Sequence, residues 1–295
     1  MPSPREVGVP MSKVPRLLLS VASLALASTA LAQSLPTNQP NFLQIFREEV
    51  KVGHAADHVK VEAGWPTAFE KAQSPYTYIA LVSMTGPPEA WFVSPFESHE
   101  AMADSLKRED EPNLAAELAR LQKADAEHIT SGRSILAMAR KDLSRGAFPE
   151  TAKQRFYEVT IFRVRPGHER GFEAAAKAYG AAAGRGAPET SFRVYEVMAG
   201  MPSPTYLVFG SVTSYGAFDK VMAEGMATMK AATEEEMNTL QKFSAEGLIN
   251  SENIRFRLDP VMSYVPKDVR AQDPAFWMPK VKAAPAKPAA KDVKR

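Results

Sequence analysis

The chain has 295 residues, a formal net charge of +2 and 45% hydrophobic residues, which is the composition of an ordinary globular protein. The nearly balanced charge argues against a nucleic-acid partner, because such proteins usually carry a strongly basic face. The absence of cysteine excludes disulfides, thiolate metal sites and cysteine nucleophiles.

Residues 1–32 have the pattern of a cleavable secretory signal peptide. Lys13 and Arg16 precede an apolar run over residues 17–27, and small residues end the segment at Ala30 and Ala32. The run is shorter than the roughly 20 apolar residues that span a bilayer. We therefore expect cleavage before residue 33 and a soluble periplasmic or secreted product without an integral membrane segment. An uncleaved N-terminal anchor is the alternative.

The first predicted unit covers residues 33–145. Alternating apolar residues predict a strand over 42–52, and helical spacing follows over about 55–71. Two strands come next, joined by a Gly-Pro-rich turn, and then a helical stretch over about 98–131 that should break near Pro112. A last strand over 134–140 closes the unit.

The second predicted unit covers residues 155–266 and follows a linker at 146–154. It has the same order of elements: a strand over 156–164, a helix over about 169–183, two strands around a Gly-Pro-rich turn, a helical stretch over about 214–246, and a strand over 253–258. Residues 267–295 end in a Lys/Ala/Pro-rich segment, which predicts an extended and mostly disordered tail.

The two units are similar in sequence as well as in pattern. The Gly-His pair at Gly53-His54 recurs at Gly167-His168, about 114 residues later, and further landmarks keep their order at nearly the same offset. We therefore predict two tandem ferredoxin-like (β-α-β-β-α-β) repeats of α+β class. Each sheet has helices on one face only, so the two sheets should pack on one another as a closed barrel with an internal space.

The strand that ends in Pro166-Gly167-His168 and the helix that follows, with Phe-Glu-Ala-Ala at 172–175, resemble the dimeric α+β barrel superfamily. This group includes antibiotic-biosynthesis monooxygenases, heme-degrading monooxygenases, EthD-like and NIPSNAP-like proteins. The resemblance covers both units and implies an intramolecular dimeric α+β barrel. Families on this fold perform unrelated chemistry, so it does not fix the function.

The candidate ligand-binding residues are His54, Trp91, His99, His168, Tyr206 and Tyr215. His54 and His168 close the first strand-to-helix turn of each unit. A purely structural role for each would be to cap the following helix, whereas a functional role would be as a pair of imidazoles at the edge of a cavity. His54 and His58 have the spacing of two metal ligands on one helix face, but no third ligand is evident, and we predict no metal site.

Trp91 and His99 match the residue types that heme-degrading members of the resembled superfamily use on the third strand and the following helix. The second unit has Tyr206 and Tyr215 in similar places. The resemblance therefore makes heme an alternative to our prediction of no cofactor. In the purely structural alternative, these aromatic residues belong to the core.

Glutamates on the predicted strands are candidates for acid–base chemistry if they face the barrel interior. They are Glu48, Glu49, Glu158 and Glu196, and alternation does not show which face is inward. In the purely structural alternative, these glutamates pair with arginines on neighbouring strands, such as Arg163 or Arg193.

The favoured function is binding of a small apolar or aromatic molecule between the sheets or in the cleft between a sheet and its helices. The alternatives are a cofactor-independent monooxygenase or isomerase-like enzyme, and a structural or interaction module without a ligand. A cavity with a buried ionisable group would favour the enzyme, an apolar cavity the binder, and no cavity the module. Since one chain supplies both halves of the barrel, it could act as a monomer or a homodimer.

Overall fold

A computed structural model describes residues 35–279 of the chain. The eight strands, in chain order, are β1 Phe42–Val50, β2 Tyr78–Ser83, β3 Glu89–Phe96, β4 Ile129–Ala139, β5 Phe156–Val164, β6 Arg193–Ala199, β7 Thr205–Val212 and β8 Leu248–Tyr264. The α-helices are α1 Ala55–Glu62, α2 Gly64–Lys71, α3 His99–Glu109, α4 Pro112–Asp125, α5 Glu169–Gly186, α6 Phe218–Ala231, α7 Glu234–Lys242, α8 Lys267–Gln272 and α9 Pro274–Trp277.

The strands form one closed antiparallel barrel in the order β1-β3-β2-β8-β5-β7-β6-β4. The first half of the barrel therefore has the order β4-β1-β3-β2 and the second half the order β8-β5-β7-β6. Hydrogen bonds between β2 and β8, and between β4 and β6, join the halves. The predicted α+β barrel, closed within a single chain, is confirmed, whereas the duplication that suggested it stays a prediction from the sequence.

The interior of the barrel is filled with side chains. On each strand alternate residues point inward, and the largest of them, Trp91 and Phe256, are fully buried with ring centroids 5.1 Å apart. At one end a cavity of about 90 Å³ remains, lined in part by Leu43, Tyr157 and Tyr195. The expected internal space is therefore small, because bulky residues from both halves interdigitate at the centre.

Several element boundaries differ from the sequence prediction. The helical stretch at 98–131 does break at the expected place, with Pro112 at the first turn of α4. The closing strands are longer than expected, since β4 begins at Ile129 and β8 runs from Leu248 to Tyr264. The extra residues at their starts, 129–133 and 248–252, are mostly polar and exposed and are held by backbone pairing with β1 and β5, so apolar alternation could not indicate them. The extension of β8 beyond residue 258 is half-buried or buried and pairs with β2.

The tail was predicted to begin at residue 267, which is wrong for residues 267–277. Helices α8 and α9 lie there, and the buried Val269 and Trp277 join the core cluster of the barrel. Arg155 anchors them with a 2.6 Å ion pair to Asp273. The apolar residues preceding the Lys/Ala/Pro-rich segment provide this packing. The rest of the predicted tail, and the predicted signal peptide, lie outside the described residues.

Among residues 35–279, every helix falls short of the length and apolar character needed to span a bilayer.

We expect Phe256→Ala to lower the free energy of unfolding by about 3–5 kcal/mol, because it opens a void at the centre of the barrel. Urea denaturation followed by circular dichroism measures this loss. Val52→Ala, at a side chain that is 89% exposed, serves as the control and should change stability by less than about 0.5 kcal/mol. Similar small effects for both variants would contradict a packed barrel centre.

Candidate functional site

Each half of the barrel has a cleft between the outer face of its strands and the helices that cover them. The first-half cleft has a volume of about 500 Å³ and lies between the outer faces of β1 and β3 and helices α2 and α4. Aromatic side chains form much of its wall. They are Phe46, Trp65, Phe69, Tyr78 and Phe92.

Four ionisable side chains meet at the inner end of the first-half cleft, and we call them the buried cluster. Glu48 comes from the outer face of β1, His58 and Glu62 from successive turns of α1, and Asp125 from the end of α4. Each is less than 5% exposed. One donor atom from each residue can be chosen so that all four lie within 4.8 Å of one another.

The geometry of the cluster leaves two of its carboxylate oxygens without a partner. His58 Nε2 lies 2.9 Å from Glu48 Oε2 and 3.6 Å from Asp125 Oδ1. Glu62 Oε1 and Asp125 Oδ1 are buried and have no hydrogen-bond partner among the described residues. Since an unpaired buried polar atom costs about 1–3 kcal/mol, this arrangement does not serve stability.

Burial and mutual repulsion shift the acidity of the cluster. Burial, followed by the charges of Glu48 and Asp125, raises the pKa of Glu62 from 4.5 to about 9. Burial and the charge of Glu48 raise the pKa of Asp125 to about 6, against the opposing effect of His58. Three carboxyl groups thus share one imidazole in a site of low dielectric constant, and the carboxyl of Glu62 is neutral at pH 7.

Two further polar atoms in the first-half cleft have no partner. Trp65 Nε1 and Tyr78 Oη are both buried and have no partner at hydrogen-bond distance and angle within the described residues, although the Trp65 side chain lies near enough to Glu62 to lower the pKa of that carboxyl slightly against the effect of burial. Burial, with a contribution from the charge of Glu62, holds the pKa of Tyr78 well above its usual value. The cleft therefore presents hydrogen-bonding groups beside the buried cluster, within an aromatic wall.

The second-half cleft has a volume of about 410 Å³ and lies over β5, β6 and β7, beneath α5 and α7. Its lining is largely apolar, and none of its lining residues has an unpartnered buried polar atom. The aromatic residues of this lining are Phe162, Phe172, Tyr179, Phe192 and Phe243.

The positions that carry the buried cluster in the first half carry apolar residues in the second. The strand registers place Phe162 where Glu48 stands, and the equivalent helix starts place Phe172 and Ala176 where His58 and Glu62 stand. Phe243, from the turn that follows α7, packs on Phe172 at a ring-centroid distance of 5.6 Å, whereas Asp125 from the end of α4 lies beside His58. The fold accepts apolar residues at these positions, so the cluster is a special feature of the first half.

The histidines predicted to close the strand-to-helix turns do lie at helix N-caps, but the capping interpretation is wrong. Neither His54 nor His168 makes a side-chain hydrogen bond to its helix. Instead His54 Nδ1 lies 3.1 Å from His128 Nδ1 at the start of α1, one imidazole donating to the other. His168 lies on the other half of the barrel, so the two predicted histidines do not share a cavity.

Trp91 and His99 do not face one site. Trp91 lies inside the barrel, where its Nε1 donates to Glu89 over 2.8 Å, whereas His99 is exposed at the start of α3 and packs on Phe42. His58 is enclosed by carboxylates and offers no open side. These histidines do not fit a heme bound in the way the resemblance implies.

The two candidate tyrosines of the second half are also separated. Tyr206 is fully buried on the outer face of β7 and stacks on Phe172 at a centroid distance of 3.9 Å. Tyr215 is 47% exposed and contacts Phe156 and Phe218. Tyr206 therefore packs behind the second-half cleft, and Tyr215 lies at the surface.

The glutamates on the strands have different partners in the structure. Glu158 accepts a 2.8 Å bond from Arg255, and Glu196 pairs with Arg140 at 3.1 Å, so both are in arginine pairs, although not with the arginines named from the sequence. Glu48 faces outward beneath the helices rather than into the barrel.

Glu62 and Asp125 were not among the site residues predicted from the sequence. Two features of the sequence could have indicated the site. His58 and Glu62 are four residues apart on one helix and so share a face, and Glu48 lies near the end of β1, just before the turn into that helix. Asp125 gave no local signal, because the turn after α4 that brings it to α1 is a tertiary feature.

The barrel topology defines the class of protein: the chain has the dimeric α+β barrel fold, here closed by one polypeptide. A solved structure from Fusobacterium nucleatum subsp. nucleatum, provisionally named a monooxygenase, is similar with a TM-score of 0.51 and 8% identity, over 74% of this chain and 92% of that one. That similarity shows the fold alone.

Two further solved structures have lower scores. An anthrone oxidase-like protein has a TM-score of 0.47 and 12% identity, over 75% of this chain and 92% of that one. A chlorite dismutase variant from Candidatus Nitrospira defluvii has a TM-score of 0.46 and 11% identity, over 76% and 93%. The sequence matches no protein-family model and no curated protein.

We expect Glu62→Gln to stabilise the metal-free protein by about 3–5 kcal/mol at pH 8 and by less than about 1 kcal/mol at pH 5. The wild-type carboxyl has a pKa of about 9 when folded and near 4.5 when unfolded, so folding costs more as pH rises between these values. Urea denaturation in the presence of EDTA at both pH values measures the difference. Glu189→Gln, at an exposed loop position, should leave stability unchanged at both. An equal gain at pH 5 and pH 8 would contradict the raised pKa.

Proposed function

We propose that the protein is an enzyme that binds a small aromatic molecule in the first-half cleft and converts it beside the buried cluster. One observation carries the proposal. Four residues that line one aromatic cleft each carry a buried polar atom with no hydrogen-bond partner among residues 35–279: Glu62 Oε1, Trp65 Nε1, Tyr78 Oη and Asp125 Oδ1. Buried polar atoms are normally paired, and an unpaired set beside a cavity calls for a bound partner.

The chemistry of these atoms suggests the kind of ligand. Trp65 Nε1 only donates a hydrogen bond, whereas Tyr78 Oη both donates and accepts. A ring with a hydroxyl or carbonyl group would satisfy both, and the rings of Phe69 and Phe92 would pack on its apolar part. A hydroxylated or ketonic aromatic molecule is therefore the substrate class that we propose.

The buried cluster favours an enzyme over a simple binding protein. A cavity with buried ionisable groups was the feature that would separate the two hypotheses, and the first-half cleft has this feature. We propose an oxygenase-type or isomerase-type reaction at the part of the substrate that meets the cluster. The fold hosts many chemistries and does not choose between these reactions.

The second-half cleft supports the alternative function, binding of an apolar molecule without chemistry. Its apolar lining, and the absence of unpartnered buried polar atoms among its lining residues, suit a ligand held by packing alone.

Export stays a proposal that rests on residues 1–32, and N-terminal sequencing of the protein from a periplasmic fraction tests it. We propose a monomer as the functional unit, because the barrel is closed within one chain.

We expect the protein to bind 2-naphthol, a hydroxylated aromatic probe, in the first-half cleft. Tyr78→Phe and Trp65→Phe should each weaken the affinity about tenfold, because each removes one hydrogen bond to the probe. Isothermal titration calorimetry measures this effect. Tyr78→Phe removes a hydroxyl that has no hydrogen-bond partner among residues 35–279, so it should not destabilise the fold.

The matched control is Tyr179→Phe in the second-half cleft, which should leave the affinity for 2-naphthol unchanged. Binding that weakens only in Tyr179→Phe would move the ligand site to the second-half cleft. The absence of binding, or equal binding by all variants, would contradict the proposal.

A further inference from the structure

We propose that Glu48, His58, Glu62 and Asp125 bind one divalent transition-metal ion at the inner end of the first-half cleft. A role of this ion in catalysis would rest on the proposed function. The binding of the ion rests on the four residues themselves.

The donor set and its dimensions suit such an ion. Three carboxylates and one imidazole are ligands that Mn²⁺, Fe²⁺ and Zn²⁺ accept. Two ligand atoms on opposite sides of an ion with bonds of about 2.1 Å lie about 4.2 Å apart. The four donor atoms already lie within 4.8 Å of one another, so modest side-chain shifts would bring them to coordination distance of one ion.

The unpartnered atoms are an independent sign that something is bound. Glu62 and Asp125 are each 3% exposed, and each has a buried carboxylate oxygen without a hydrogen-bond partner among the described residues. The Asp125 oxygen faces the cluster, 3.6 Å from His58 Nε2, and one oxygen of Glu62 lies within 4.8 Å of the donor atoms of the other three residues. Among the described residues, the ion pairs of the cluster's carboxylates are those with His58, and none is with a lysine or arginine. A cation at the centre would satisfy both oxygens and the negative charge at the same time.

The second half of the barrel shows that the fold does not require these charges. Phe162, Phe172 and Ala176 stand at the positions equivalent to Glu48, His58 and Glu62, and they form an apolar packing together with Phe243. Burying charged side chains costs several kcal/mol for each ion, whereas an apolar replacement is often neutral or stabilising. A structural role alone therefore does not account for the cluster.

The position of the ion would connect it to the ligand. Glu48, Glu62 and Asp125 line the same cleft as Trp65 and Tyr78. An ion held by these carboxylates would act as a Lewis acid on an oxygen of the bound aromatic molecule. Tyr78 and Trp65 would hold that molecule in place.

The test is a titration of the full-length, EDTA-treated protein with Mn²⁺, in which free Mn²⁺ is followed by its electron paramagnetic resonance signal. We expect one ion bound per chain. Glu62→Gln and Asp125→Asn should each weaken binding about 100-fold or more, since loss of even an outer-shell partner costs 10–100-fold. Zn²⁺ should displace the bound Mn²⁺.

Two controls separate the cluster from other sites. Glu109→Gln changes a carboxyl that lines the same cleft outside the cluster, and His128→Gln disrupts the His54–His128 pair. Both variants should bind Mn²⁺ as the wild type does. No bound ion, or binding that survives Glu62→Gln and Asp125→Asn, would overturn the inference.

Folding of the variants is checked by thermal unfolding. Mn²⁺ should raise the melting temperature of the wild type and of Glu109→Gln but not of Glu62→Gln, which should itself fold at least as well as the wild type without metal. If 2-naphthol binds while Mn²⁺ does not, only the metal inference fails. If Mn²⁺ binds while 2-naphthol does not, the proposed substrate class fails and the metal site stands.

Discussion

The arrangement of the first half depends on one electrostatic constraint, the burial of three carboxyl groups around a single imidazole. In water each carboxylate would be solvated, but at this site each side chain is less than 5% exposed. The site must therefore gain protons or a cation. Burial raises the pKa of Glu62 to about 9 and that of Asp125 to about 6, so without a cation the first proton at neutral pH resides on Glu62. A cation would release those protons and keep the same side chains in place.

The barrel makes this concentration of charge tolerable by keeping it apart from the main core. The inward residues of all eight strands form one packed interior, so the fold gains its stability there. The outer faces of the strands are then free to differ between the halves. The second half uses its outer face for aromatic packing, with Tyr206 stacked on Phe172, whereas the first half uses it for the buried cluster and its cleft. One architecture thus holds an apolar cleft and a charged cleft.

Much of the fold could be predicted from the sequence, because periodicity and the similarity of the two units are local and repeated signals. Strand β5 and the break before Pro112 lie where alternation and proline chemistry place them. The faces of the strands could not be predicted. The sequence suggested that Trp91 and Tyr206 are equivalent, but this alignment is wrong by one residue, because Trp91 points into the barrel and Tyr206 points out of it. A shift of one residue along a strand exchanges its two faces.

The candidate site was the least predictable part for the same reason. Glu48 was named as a strand glutamate, but its partners Glu62 and Asp125 come from helices whose contacts only the folded chain defines. The aromatic and histidine residues predicted as ligand-binding lie apart from one another, in the barrel interior, at the surface and in the second half. Residue type alone does not determine in which direction a side chain points. His58 had been noted for its spacing from His54, yet its partners in the structure are carboxylates.

The most direct measurement is anomalous X-ray diffraction from crystals of the EDTA-treated protein soaked in Mn²⁺. A single strong anomalous peak among Glu48, His58, Glu62 and Asp125, about 2.2 Å from their donor atoms, is the expected result. A peak confined to the His54–His128 pair or to surface carboxylates, with the cluster side chains unmoved, would show that the charge is balanced by protons alone.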